Sequence, residues 1–317
     1  MLRYRAALMI WLFMLLGAAR HGGLGDLGAA HAAALLALAA SYVAATSIND
    51  VADVGLDRIN HPGDPARPLV TGQADEHDLR VIYAGAVAAA LAAGAAVGAA
   101  GLALVAVGLI LGYVYSAPPF AVSYRTYLSP LLLATAYVVI PYSLGVAASN
   151  AVPDGSDVLP LGAFVVLFLA RIVLKDFRDR EGDAAYGRRT LLQRFGRRAV
   201  CRTSLGALLT ADALLVAVLL PSLALILVIQ GFFGAIVWML WNLEAASDPQ
   251  REQVAIGIGA RLGNGLLLTV LGSLVLEARD APAGEVLLYA WSLAAIYAIN
   301  FAALMAHPDE VLIGYKG

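Results

Sequence analysis

The sequence predicts an all-α protein: a polytopic membrane bundle of nine to ten transmembrane helices around a central cavity. Three observations point there. Of the 317 residues, 61% are hydrophobic and only 14% are charged, against roughly 45–50% and about 25% in soluble domains. Apolar runs near the length of about 20 residues that crosses a hydrocarbon core recur along the whole chain. The strict alternation of a transmembrane β-strand is absent, so the backbone has to satisfy its hydrogen bonds within helices.

Candidate spans fall near 5–20, 27–48, 78–99, 101–117, 127–148, 157–175, 199–220, 222–243, 254–276 and 284–306. Two pairs nearly touch, at Gly101 and at Pro221, and merging one pair gives nine. Helices one to nine then occupy about 5–276, with 284–306 as an extra helix, in a single membrane domain over 1–317. The run from Ala6 to Ala19 is followed by Arg20-His-Gly-Gly rather than a small-residue cleavage site, so it reads as the first membrane helix. Small residues crowd the spans, as in AAALAAGAAVGAAG, and let helices pack backbone to backbone.

The charges orient the bundle and exclude several functions. A net charge of −2 argues against a nucleic-acid partner. The single cysteine, Cys201, excludes an internal disulfide and a cysteine-rich metal site. His21, His31, His61, His77 and His307 show no metal-ligand spacing. Most basic residues, Arg58, Arg67, Arg80, Arg125, Lys175 and the run Arg178–Arg202 among them, fall on one side of the spans. Arg20 and Arg279 fall on the other, while Arg171 and Arg261 lie inside spans. The positive-inside rule makes the crowded side cytoplasmic, with the protein a multi-pass component of the cell inner membrane.

Two acidic segments follow spans two and six on that side. In NDVADVGLDRINHPGDPARPLVTG (49–72), Asn49, Asp53 and Asp57 are four residues apart. In KDFRDREGDAAYGRRTLLQRFG (175–196), Asp176, Asp179 and Asp183 are three and four apart. On helices continuing from the spans, each set would share one face, with Asp50 and Glu181 pointing elsewhere. Such stripes repel unless cations neutralise them. Oxygen-only ligands select a hard cation such as Mg2+, which completes its shell with water and phosphate oxygens. Neighbouring Arg67, Lys175 and Arg178 suit a phosphate. The combination points to a diphosphate with an apolar tail. Any one of these aspartates also fits an ordinary solvated helix end; the argument rests on the two stripes together.

These residues resemble the motifs of UbiA-type intramembrane prenyltransferases. Asn49, Asp50, Asp53 and Asp57, extended by Arg58-Ile-Asn60, Arg67-Pro68-Leu69 and Gly72, match the first motif. Lys175, Asp176, Asp179, Gly182 and Asp183 match the second, and Tyr115-Ser-Ala-Pro-Pro119 is similar to the turn after span four. The resemblance covers roughly 1–280 and is nearest the homogentisate, chlorophyll and geranylgeranylglyceryl phosphate branches. The segment from His61 to Ala66 is longer than the family's usual link, and the first span lacks the proline of hydroxybenzoate-using relatives.

The resemblance implies Mg2+-dependent transfer of a prenyl group from a polyprenyl diphosphate donor to a lipophilic or aromatic acceptor, within membrane lipid. Asn49, Asp53 and Asp57 would hold one Mg2+; Asp179 and Asp183 would hold a second, supported by Asp176. Tyr115 and Ser116 would line the reacting end, and Arg67 and Lys175, with Asn49, would meet the diphosphate. Tyr113, Tyr115, Tyr137 and Tyr142 are candidates to face an allylic cation. A membrane terpene cyclase and, in another class, a cation-coupled transporter are the alternative readings. Arg261 would contact an acceptor or pair with Glu252. The arginines from Arg188 to Arg198 would set topology or attract anionic headgroups.

Overall fold

The computed structural model describes residues 4–25, 27–219 and 222–306; Arg3, Pro221, His307 and Lys316 lie outside the described residues. The helices are α1 (Tyr4–Arg20), α2 (Ala29–Ala52), α3 (Val54–Asn60), α4 (Pro68–Thr71), α5 (Glu76–Val97), α6 (Ala99–Ser116) and α7 (Leu128–Ala134). They continue with α8 (Ile140–Ala148), α9 (Gly155–Ile172), α10 (Arg180–Ala185), α11 (Leu191–Leu219), α12 (Leu223–Ala245), α13 (Pro249–Ala278) and α14 (Ala283–Ala306).

Among the described residues, nine helices are long and apolar enough to cross a membrane. A π-helical turn over Thr135–Val139 joins α7 and α8 into one span, absorbing Pro141 at the start of α8. The tenth apolar helix, α1, has 17 residues and reaches only about 25 Å at 1.5 Å per residue. The ambiguity between nine and ten spans therefore resides in a short first helix, not in the close pairs at Gly101 and Pro221.

That short helix sits between two cores. Met9, Phe13 and Leu16 face one cluster, with Phe164, Leu167, Met239 and Leu266; Ile10 and Met14 face the other, with Leu38, Tyr42, Val105 and Leu144. Phe13 meets Phe164 edge-on, ring centroids 5.4 Å apart, a favoured aromatic geometry. Two glycines permit the approach of α1 to α8. A Cβ on Gly17 would lie 2.1 Å from the Tyr142 carbonyl oxygen, and one on Gly145 would lie 1.9 Å from the Met14 carbonyl oxygen. The contact is reciprocal backbone-to-backbone packing of the kind small residues allow in membranes.

The last helix, α14, packs lightly on α13. Tyr289 donates to the Leu268 carbonyl oxygen at 2.5 Å, and Gly265 and Gly272 clear the space into which the Tyr297 and Tyr289 hydroxyls fit. Leu288 and Trp291 stay about 70% exposed, an outer apolar face suited to lipid. The C-terminal ends of α2, α6 and α9 reach one shared cavity beside the two acidic segments.

We expect Gly145→Val to overpack the α1–α8 crossing and destabilise the protein by at least about 1–3 kcal/mol. A thermal melt of purified protein in detergent should show it as a lowered midpoint, whereas Gly85→Val, where a Cβ meets nothing within 4 Å, should leave the midpoint nearly unchanged.

Candidate active site

Both acidic segments bend at their central aspartate. α2 stops at Ala52, and Asp53 takes φ −100°, ψ 9° before α3 begins. After α9, the chain tightens to a 3₁₀ helix over Val173–Phe177, and Asp179 takes φ −96°, ψ 8° before α10 begins. Both sit in the sparsely populated bridge region where many active-site residues are found. The straight helical continuation expected from the spacing is therefore replaced by a kink in each segment. Asp176 lies on the 3₁₀ helix, Asp179 at the bend and Asp183 on α10, so these three do not share one regular helical face.

The short helices beyond the kinks lock together. Asn60 Nδ2 donates to the Asp179 carbonyl oxygen at 3.0 Å, and the Gly182 amide donates to Asn60 Oδ1 at 2.7 Å. A Cβ on Gly182 would come within 2.6 Å of Asn60 Nδ2, and one on Gly55 within 2.1 Å of the Tyr186 hydroxyl. Asn60, Gly55 and Gly182 thus hold the two bends face to face. Asn60 and Gly182 belong to the quoted motifs, yet spacing alone assigned neither a task.

Cations are threaded among the carboxylates. Arg188 donates to Asp53 at 2.6 Å and lies 3.4 Å from Asp183, with its guanidinium 4.9 Å from the Tyr124 ring centroid. Arg67 Nη1 lies 2.6 Å from Asp50 and 2.8 Å from Asp57. His61 Nε2 is 3.3 Å from Asp179. Asn49 donates to Asp53 at 2.8 Å and to Ser116 at 3.4 Å. Lys175 donates to the Tyr115 hydroxyl at 2.7 Å.

Burial pushes the Asp57 carboxyl up to about 6, Arg67 opposing the rise, and pushes Asp183 up to about 7 against the pull of Arg188. Burial also acts on Asp179, but His61, Arg178 and Lys175 outweigh it and hold that carboxyl well below the ordinary range. Carboxyls shifted in opposite directions therefore lie close together at this end of the bundle, set apart by their neighbours.

A cavity of about 570 Å³ opens from this mouth into the bundle. Asn49, Asp53, Asp57, Arg67, Tyr115, Ser116, Lys175 and Asp179 all line it, and Met9, Phe13, Leu38, Tyr137 and Phe168 carry it inward. Asp176 and Asp183 line a neighbouring recess of about 20 Å³ with Ser123 and Thr190, and Asp179 borders both spaces. Tyr137 stacks on Phe168 at 5.7 Å in the cavity wall. Tyr113 is 40% exposed on the outer surface, and Tyr142 donates to Asp157 at the far end of the bundle, so only Tyr115 and Tyr137 of the four tyrosines face the cavity.

Four residues lie at the site beyond those singled out for it. Arg188 joins the two acidic segments rather than serving the surface. Asp50, set aside from the first stripe, is 3% exposed and bound to Arg67. His61 reaches Asp179 across the fold. Arg171 lines the cavity and donates to Asn264 at 2.6 Å, whereas Arg261 donates to the Gly257 carbonyl oxygen of its own helix. Glu252, offered as the partner of Arg261, is bound instead by Arg180 and Arg197.

Among the described residues no three His, Cys, Asp or Glu side chains converge closely enough to form a metal cage. The donors nonetheless fit a hard cation: they are all oxygens, and Asp183 Oδ1 is buried without a hydrogen bond. A few carboxylates on each side, with the remaining positions filled by phosphate and water, is the usual arrangement for Mg2+.

Fold and site together define a helical membrane bundle whose apolar cavity is capped by two facing, kinked acidic motifs. The sequence profile of the UbiA prenyltransferase family matches residues 7–264, and the chain belongs to that family. Among relatives, it is 28% identical over 242 residues to digeranylgeranylglyceryl phosphate synthase from Methanopyrus kandleri, covering 72% of this chain and 82% of the relative. It is 27% identical over 157 residues to chlorophyll synthase from Oryza sativa, covering 47% of this chain and 41% of that one. The fold is similar to that of a UbiA homologue from Aeropyrum pernix, with TM-score 0.65, 18% identity and coverage of 87% and 98% of the two chains. A UbiA homologue from Archaeoglobus fulgidus bound to GPP and Mg2+ superposes with TM-score 0.60 at 20% identity, covering 87% and 99%.

Removing Arg188 leaves Asp53 and Asp183 without their shared cation. Breaking a buried pair from one side costs about 3–5 kcal/mol. We expect Arg188→Met to lower the melting midpoint strongly in chelator-treated buffer, and millimolar Mg2+ to restore much of the loss. An unchanged midpoint would mean that Arg188 does not hold the two segments together.

Proposed function

We propose that the protein transfers a prenyl group from a polyprenyl diphosphate to a lipophilic or aromatic acceptor inside the membrane, with Mg2+ as cofactor. The observation that carries this reading is the pair of kinked acidic motifs facing each other across the polar mouth of a 570 Å³ apolar cavity. Support comes from relatives named as digeranylgeranylglyceryl phosphate synthase, chlorophyll synthase and homogentisate phytyltransferase, and from a similarly folded UbiA homologue bound to DMAPP and Mg2+. A transporter with carboxylates along its path fits poorly, because these carboxylates gather at one mouth.

In this reading Asn49, Asp53 and Asp57 hold one Mg2+, and Asp179 and Asp183, supported by Asp176, hold the other. The metal, when bound, supplies Lewis-acid stabilisation of the diphosphate as it departs. Lys175 and Arg67 face the same leaving group and add fixed positive charge; Ser116 and Asn49 offer hydrogen bonds beside it. The allylic C–O bond breaks with its electron pair on the diphosphate, so positive charge develops on the carbon at the cavity neck. Tyr115 and Tyr137 line the cavity beside it, where aromatic rings can stabilise a cation, and the Phe168 and Phe13 walls keep water from it. The acceptor atom then forms the new bond to the allylic carbon and passes its proton to the departed diphosphate.

For Asp53 and Asp183 to meet the cations, the Arg188 guanidinium has to withdraw from them. We place the acidic mouth on the cytoplasmic face of the cell inner membrane. Arg58, Arg67, Arg80 and Arg178 lie at that end, and Arg20 with Arg279 at the other.

Diphosphate release by protein in lipid nanodiscs tests the proposal, using DMAPP, GPP and longer prenyl diphosphates with a lipid extract as the acceptor source. We expect release to require Mg2+ and to fall by about 10²–10³-fold in Asp53→Ala and Asp179→Ala, the scale of losing one stabiliser of developing charge. Release that survives chelation, or that ignores both substitutions, would overturn the reading.

A further inference from the structure

The bend at Asp179 holds its backbone in the sparsely populated bridge region, a conformation that persists only where the surroundings over-determine it. The helix that follows, α10, has six residues and is too short to hold itself in place. On one side Asn60 grips the bend through the Asp179 carbonyl and the Gly182 amide. The other side is held from a distant part of the chain.

Arg180, the residue after the bend, carries its guanidinium past the Phe177 ring, 5.9 Å from the centroid, to Glu252 in the first turn of α13. Glu252 is 5% exposed, and both its oxygens are taken: Oε1 by Arg180, and Oε2 by Arg197 of α11 at 2.5 Å. Arg197 also donates to the carbonyl oxygen of Ala246, the C-cap of α12. The Asp248 side chain caps α13 by accepting from the Arg251 amide at 2.8 Å. Arg180 therefore reaches a carboxylate already anchored by other helices. Glu252 lines neither the cavity nor the neighbouring recess, so its route to the site runs through Arg180. A shift of Arg180 turns the peptide plane that follows Asp179, and with it the bend.

We propose that Glu252 is a positioning residue for the second acidic segment: through Arg180 it fixes the Asp179–Arg180 peptide, so that the Asp179 carboxylate is presented to the metal at the mouth. Arg197 holds Glu252 and has no such backbone link to Asp179. The inference rests on the Mg2+-dependent reading of the site and adds to it a residue that lies in neither acidic motif.

Two readouts test it on the full chain in nanodiscs. One is the Mg2+ concentration that half-saturates the rise in melting midpoint with a non-cleavable geranyl thiodiphosphate present. The other is diphosphate release from GPP with a lipid extract. Arg180→Gln and Arg197→Gln each delete one of the two bonds to the same carboxylate, and a mere brace between helices predicts that they behave alike. We expect Arg180→Gln to raise the half-saturating Mg2+ about tenfold, the scale on which the outer supports of metal ligands act. Arg197→Gln should lower the midpoint but keep the wild-type Mg2+ demand. Glu252→Gln should match Arg180→Gln in Mg2+ demand, Glu252→Asp should recover part of the loss, and the double variant Arg180→Gln/Glu252→Gln should go no further than either single one. Glu244→Gln, which removes the more exposed pair with Arg202, should leave both readouts unchanged.

Should Glu252→Gln not fold, the comparison of Arg180→Gln with Arg197→Gln carries the test by itself. Equal Mg2+ demand in those two variants, or a lowered midpoint with wild-type Mg2+ demand in Arg180→Gln, overturns the positioning role while leaving prenyl transfer standing. A wild type that neither gains stability from Mg2+ with the thiodiphosphate nor releases diphosphate from GPP overturns both readings.

Discussion

A group of aspartates at the lip of an apolar cavity has to be neutralised, and the rest of the site follows from how this chain does it. Asp50, Asp53, Asp57, Asp176 and Asp183 are each no more than 7% exposed. Burying one unpaired carboxylate is costly, and burying several together is more so. Arg67 is shared between Asp50 and Asp57, and Arg188 between Asp53 and Asp183. Each arginine thus bridges two acids, which is the task a divalent cation would perform for a diphosphate at the same mouth. The protein holds itself together with the same electrostatic logic that suits it to its proposed ligand.

Geometry makes that logic available to a substrate. The near-identical bends at Asp53 and Asp179 turn both segments, and Asn60, bonded to the Asp179 carbonyl and the Gly182 amide, fixes their separation. The glycines at 55 and 182 are the cost of that close approach, since each occupies a spot where a methyl group would collide. Behind the mouth, α1 supplies Met9, Ile10 and Phe13 to the cavity wall. Over its described residues it shares its flanks between two cores.

Much of this was legible in the sequence because it is carried by local pattern. Ten apolar segments, the acidic spacing and the Tyr115–Pro119 turn each show themselves within a few residues. The kinks were not legible: DVADVGLD and KDFRDREGD keep helical spacing through the bend, and the backbone departs only where tertiary contacts through Asn60 and Tyr186 demand it. Arg188 was assigned to a surface run because five arginines lie within eleven residues, and nothing local separates the one that turns inward. Its position five residues after Asp183 was the available signal. Arg171 and Asn264 are 93 residues apart, so their pairing is a property of the packed bundle. For Asp183, the sequence placed it with Asp179 on one face, whereas α10 turns it into the neighbouring recess.

The central claim is that Asp53 and Asp179, at the two bends, share a single diphosphate across the mouth. A structure of the protein with Mn2+ in place of Mg2+ and a non-cleavable prenyl thiodiphosphate tests it most directly, because anomalous scattering locates the metal independently of the organic ligand. The account predicts metal peaks against both Asp53 and Asp179, the diphosphate between them, the tail running past Phe168, and Arg188 withdrawn from Asp53. Metal bound on one segment alone, or a diphosphate seated elsewhere with the Arg188–Asp53 pair intact, would contradict it.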